Sequence, residues 1–145
     1  MIRRFIDRIF NPSPRQKKLI HGHQVAPKKI TKRTHHINPD LLSKNAVKVT
    51  DVLQEAGFDA YIVGGAVRDL LLGIAPKDFD VATNATPEQV QKLFRRSRLI
   101  GRRFQIVHVT FYGKERPEII EVSTFRAHVQ ADDTHVAANG RILRD

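Results

Sequence analysis

The 145-residue chain contains no cysteine, no tryptophan and a single methionine. Without cysteine there is no disulfide framework, no disulfide partner and no thiolate metal site, a composition that fits a reducing compartment such as the cytoplasm. Long apolar runs are also missing. The longest fall far short of the ~20 residues a membrane-spanning helix needs. No internal repeat is visible. Acidic residues are nearly absent from one region: residues 1–36 hold ten Lys/Arg against Asp7 alone, so they carry +9 of the +10 net charge. Residues 37–145 balance 15 basic residues with 14 acidic ones. The basicity therefore belongs to an arm, and an arm of this kind expects a polyanion, chiefly nucleic acid. What is present, 41% hydrophobic residues, suits one globular domain with a modest core.

The arm divides in two. Met1–Phe10 sets Ile2, Phe5, Ile6 and Ile9 at helical spacing with Arg3, Arg4 and Arg8 between them. Such a segment can lie on an anionic membrane surface or against a partner. It also has the look of a transit peptide, and inert disorder is the plain alternative. Asn11 to His36 contains Pro12, Pro14 and Pro27 with no hydrophobic period, and reads as a flexible linker. Its His21/His23 and His35-His36 pairs read as polar linker residues rather than metal ligands. Residues 37–145 are then the folded domain.

Folding signals begin at Asn38-Pro39-Asp40, an N-cap, a first-turn proline and an acid at the positive helix end. Leu41, Leu42, Ala46, Val49, Val52 and Leu53 continue as one apolar stripe, which predicts a single helix ending at Gly57. Phe58–Val63 reads as a strand, Ala66–Leu72 as a short helix closed by Gly73, and Phe79–Ala82 as a second strand. Thr86-Pro87-Glu88-Gln89 carries a capping-box signature and opens a helix to about Arg95. Phe104–Tyr112 and Glu118–Phe125 read as strands joined through Gly113-Lys114-Glu115-Arg116. The order is that of a small α/β unit (α+β) around a mixed sheet flanked by helices.

Chemistry concentrates between Tyr61 and Thr83. An apolar strand runs into Gly64-Gly65, where the backbone can turn tightly and approach a ligand with no side chain in the way. Successive backbone N–H groups there make a seat for phosphate. Arg68, one turn later, can add a bidentate phosphate contact, with Asp69 orienting it or capping the turn. Asp78 and Asp80, two residues apart at a strand start, point to one face, and carboxylates so placed can hold hard divalent cations such as Mg2+. Each signal alone is an ordinary turn or an ordinary strand end. Together, at this spacing and in this order, they point to phosphoryl or nucleotidyl transfer.

Val63-Gly64-Gly65-Ala66-Val67-Arg68-Asp69 followed by Lys77-Asp78-Phe79-Asp80 resembles the head domain of the class II nucleotidyltransferases, the tRNA CCA-adding enzymes and bacterial poly(A) polymerases. Glu121-Val122-Ser123-Thr124-Phe125-Arg126 resembles the strand that follows in that family. The resemblance covers about residues 37–130 and implies a polymerase-beta-like fold. It implies that Asp78 and Asp80 are the catalytic carboxylates holding two Mg2+ ions, and that Gly64, Gly65, Arg68 and Asp69 form the nucleotide-contacting turn. Glu121 is a candidate third carboxylate, whose direction strand position alone leaves open. Leu99-Ile100-Gly101-Arg102-Arg103-Phe104 is similar to the poly(A) polymerase version of the family, with Arg102 and Arg103 expected to contact RNA or triphosphate. Solvated basic residues ahead of a strand are the plain alternative.

The resemblance thus implies transfer of AMP from ATP to an RNA 3′ end, with a CCA-adding enzyme as the rival substrate choice and a monomer as the expected state. The base-selecting Arg-Arg-Asp-Phe-type motif of the family's neck is not matched; Arg144-Asp145 is a superficial likeness. The expectation is therefore a head fragment truncated before neck and body. A head without turnover, binding RNA or an anionic surface through its arm, is the non-enzymatic alternative.

Overall fold

A computed structural model describes residues 27–126. The readings of Met1–Phe10, of most of the linker with His21 and His23, and of Arg144-Asp145 fall outside the described residues. Within the last part of the expected linker, Lys32–His35 forms a single helical turn, α1, where the Thr31 carbonyl accepts from the Thr34 and His35 amides.

Asn38 caps as expected, its side chain accepting from the Asp40 amide, but only a three-residue 3-10 turn, Pro39–Leu41, follows. Leu42 is extended, and Ser43 starts a second helix, α2 (Lys44–Glu55), by accepting from the Ala46 amide. The one helix expected from Asn38 is thus two elements. Ser43 competes successfully for the chain because a local side-chain bond to the backbone rewards a fresh helix start. The Ser43 hydroxyl and the Asn45 amide both donate to Glu118, so this start is also fastened to a strand 75 residues away.

The remaining elements alternate. Strand β1 (Ala60–Val63) leads to helix α3 (Gly65–Leu71), strand β2 (Phe79–Thr83) and helix α4 (Pro87–Leu93). Both halves of the Thr86–Gln89 capping box are formed. Strands β3 (Ser97–Ile100), β4 (Ile106–Phe111) and β5 (Glu118–Thr124) follow within the described residues. Sequence reasoning missed β3. Its four residues are an edge strand with no residue fully buried, so they carry no clean period of two; they are strand because β4 pairs with them, Ser97 against Val109 through Ile100 against Ile106.

One mixed sheet results, in the order β1-β2-β5-β4-β3, with β2 and β5 parallel and the other neighbours antiparallel. Register sorts the faces. Ile62, Val81, Val122, Val107 and Leu99 form one lateral row, and Phe79, Ile120 and Val109 form the next. Against these rows pack Ala46, Val49 and Leu53 of α2, Val90 of α4, and Ala66 and Leu70 of α3. The core therefore lies on one face, and every second strand residue is free for the other. Among the described residues no helix is long and apolar enough to cross a membrane.

Ser43→Ala removes both the cap of α2 and one donor to Glu118. A loss of ~1–2 kcal/mol is expected, seen as a lower thermal midpoint, whereas Ser43→Thr should keep most of the stability.

Candidate active site

The second face carries its own lateral row. Val63 pairs with Asp80, Asp80 with Glu121, Glu121 with His108, and His108 with Arg98. Two expected residues and two more are thereby brought side by side from four strands. Asp80 is half-buried and Glu121 exposed. The parallel pairing of β2 with β5 sets these two carboxyls directly opposite on neighbouring strands. The Asp80 carboxyl is held above the ordinary aspartate range, first by burial, then by the charge and hydrogen bonding of Glu121, and lastly by the charge of Asp78. Asp78 itself is exposed, one residue ahead of β2. Glu121, whose direction the sequence left open, faces Asp80.

His108 Nε2 lies 2.8 Å from Glu121 Oε1. Sequence reasoning overlooked His108, since a single His on a strand carries no signal until β4 is known to lie beside β5.

At the end of β1 the chain turns sharply. Gly64 has φ 77 and ψ −152 and precedes the first residue of α3. A Cβ at Gly64 would sit 3.1 Å from Asp80 Oδ2 and would in any case be strained at this φ. Glycine is required here twice over, for conformation and for room. The Asp80 carboxylate thus occupies the space beside Gly64 that a side chain would take, so a phosphate seated on the turn would lie near the carboxylate row.

Arg68 is exposed on α3. Its Nε and Nη2 both donate to Asp69 Oδ1, at 3.1 and 3.0 Å, so Asp69 does orient Arg68. Gly65 lets the guanidinium fold back: a Cβ there would stand 3.3 Å from Arg68 Nη2.

Arg102 and Arg103 are not part of this cluster. Their loop joins Ile100 to Ile106, and Ile106 pairs with Ser123, two residues along β5 from Glu121 and away from the glycine turn. Both side chains are exposed. Arg103 stands over the Phe104 ring at 5.5 Å.

The donor set is made of hard oxygens. Among the described residues no three His, Asp or Glu side chains close around a single point. Carboxylate oxygens are hard donors of the kind Mg2+ takes, one or two carboxylates commonly acting together with substrate phosphates. The raised Asp80 carboxyl fits the same ion, since a cation relieves the crowding of like charges.

Comparison with known proteins places the chain. A family model described as the poly A polymerase head domain matches residues 60–142. Poly(A) polymerase I of Salmonella typhi is 53% identical over 121 residues, covering 80% of this chain and 25% of the relative. Poly(A) polymerase I of Haemophilus influenzae is 54% identical over 114 residues, covering 75% of this chain and 24% of the relative. The chain spans about a quarter of the length of the curated relatives it matches. Among solved structures, the CCA-adding enzyme of Bacillus stearothermophilus in complex with CTP aligns with a TM-score of 0.51 at 40% identity, over 61% of this chain and 21% of that one.

A raised carboxyl pKa has a definite sign in stability. Above its folded-state pKa Asp80 is ionised both folded and unfolded, and the folded chain bears the repulsion; as pH falls through that pKa the proton relieves it. Asp80→Asn should therefore raise the thermal midpoint at neutral pH, with the gain shrinking as pH is lowered toward the usual carboxylate range. An unchanged or lower midpoint at neutral pH would contradict the crowding. Gly64→Ala should cost ~1–2 kcal/mol from the positive φ alone, read as a lower thermal midpoint, and crowd the Asp80 carboxylate.

Proposed function

Because the chain belongs to the poly(A) polymerase head-domain family, we propose that it is a nucleotidyl-transferring head that adds AMP from ATP to RNA 3′ ends. One observation carries this reading: Asp80 fills the space where a Gly64 side chain would stand, and Asp80 pairs with Glu121, so the glycine turn and a carboxylate row adjoin on the sheet. Adenylate transfer is favoured over CCA addition by the relatives. The poly(A) polymerases reach 53 and 54% identity, against 40% for the CCA-adding enzyme aligned above.

In this reading the backbone amides at Gly64 and Gly65 seat the nucleotide's phosphates, and no side chain blocks their approach. Arg68 points a charge-assisted donor at the same phosphates, its guanidinium pre-set by Asp69. Asp78 and Asp80 would hold the Mg2+ ions, with Glu121 as the neighbouring carboxylate. Bound there, Mg2+ supplies Lewis acidity for the attacking 3′-hydroxyl and charge neutralisation at the phosphates. His108, bonded to Glu121, restrains that carboxylate beside Asp80. The protein's part is positioning and electrostatics, which in-line attack at phosphorus chiefly requires. The basic arm of residues 1–36 is assigned to RNA, and the cysteine-free composition supports a cytoplasmic setting.

The test is incubation of the chain with end-labelled RNA, Mg2+ and each nucleoside triphosphate separately. ATP alone should yield extended products, and Asp78→Ala or Asp80→Ala should cut incorporation by at least ~100-fold, the scale of losing a group that stabilises transition-state charge. Incorporation of CTP ahead of ATP would move the chain to the CCA-adding branch. Extension that survives both substitutions would refute the assignment of the aspartates.

A further inference from the structure

Two residues along the sheet from the carboxylate row, aromatic rings and arginines alternate. Tyr61 and Phe125 stack, with centroids 6.1 Å apart and planes at 21°. The next residue, Arg126, lies over the Phe104 ring at 4.2 Å, and Arg103 stands over that same ring at 5.5 Å. A stacked ring pair and a ring held between two guanidinium groups thus adjoin through consecutive residues, Phe125 and Arg126, past the end of β5. Apolar rings in such a place are ordinarily covered, yet Phe104 is 45% and Phe125 38% exposed.

The group is held in place. Phe125 donates its amide to the Thr83 carbonyl at 2.8 Å, extending the β2–β5 pairing past the strand end. Gly101 has φ 93, and a Cβ there would stand 2.5 Å from the Phe104 carbonyl oxygen. Only glycine allows the loop to close against its own backbone and present Phe104 outward. Its charge is positive: Arg102, Arg103 and Arg126 gather here, and the acid at this end of β1, Asp59, is engaged by Asn84.

We propose that Tyr61, Phe104 and Phe125 with Arg103 and Arg126 form a base-stacking platform for single-stranded RNA. Rings offer flat faces to any base, and guanidinium groups add stacking and phosphate contact, the combination by which proteins hold single strands without reading sequence. Placement supports the same ligand. Tyr61 pairs with Ala82, two residues from Asp80, so it occupies the same face about 7 Å along the strand. A strand stacked on the platform would lie on the same face as Asp80 and close to the carboxylate row. This rests on the proposed function for the identity of the strand, and it assigns the bases upstream of the reacting end.

The experiment compares binding of the full chain to a fluorescent oligoadenylate and to an abasic ribose-phosphate strand of equal length. The basic arm contributes to both, whereas only bases can use the platform. The wild-type chain should prefer the oligoadenylate, and Phe104→Leu with Phe125→Leu should reduce that preference about tenfold, one stacked base being worth on that order, while leaving abasic affinity unchanged. Leucine keeps the apolar bulk, and an unaltered thermal midpoint would establish that the fold survives. Equal affinity of the wild type for the two strands would overturn the platform, as would a preference that persists in the double variant; either result would leave covering by another part of a longer protein as the use of these rings. Binding does not need Asp78 or Asp80. A chain that transfers no adenylate yet shows the ring-dependent preference would uphold the platform and refute the transfer reading.

Discussion

Two carboxylates on neighbouring parallel strands repel, and much of the architecture around Asp80 serves to keep it beside Glu121 regardless. The restraint is the register of β5 against β2. A slip of one residue would put Glu121 into the core and Val122 outside. Both ends of β5 are tied against it. At the start, Glu118 takes donors from Ser43 and Asn45 of the α2 terminus. At the other end, the Thr124 hydroxyl donates to the Ala85 carbonyl and the Phe125 amide to the Thr83 carbonyl. Between them, Ile120 and Val122 are essentially buried among the residues of α2, α4 and the adjoining strands. The apolar face thus bears the repulsion of the polar one.

This arrangement explains why the sheet has two characters. The face that packs against the helices is Val, Ile and Leu and tolerates no charge. On the other, the same pleat offers positions only one strand apart, close enough for carboxylates to perturb one another. A protein with no use for such a row would be better off with neutral residues there. Functional sites are where local stability is given up in this way. The glycine turn at Gly64 makes the same concession: an unusual φ is kept so that backbone amides and Asp80 can share one small space.

The carboxylates lie near the glycine turn, with Arg68 beside that turn and Arg98 in their row, while Arg103 and Arg126 gather with aromatic rings toward the opposite end of the strands. A polyanionic strand approaching such a surface meets the positive, ring-bearing end favourably and the negative row only where a cation can intervene.

The sequence by itself determined the local pieces. The Gly64-Gly65 turn, the Thr86–Gln89 capping box, the burial of Ala46, Val49 and Leu53, and the place of Asp78 and Asp80 at the head of a strand all depend on residues within a few positions of one another. Spacing and propensity carry such information directly. What only tertiary structure decided is everything that crosses the sheet. Ser43 started its own helix under the pull of Glu118, and β3 became a strand because β4 lay beside it. Glu121 became Asp80's neighbour, His108 became Glu121's, and Arg102 and Arg103 were carried to the far end. Strand order and register are set by how apolar faces are covered over separations of tens of residues, and no local period in the chain encodes them.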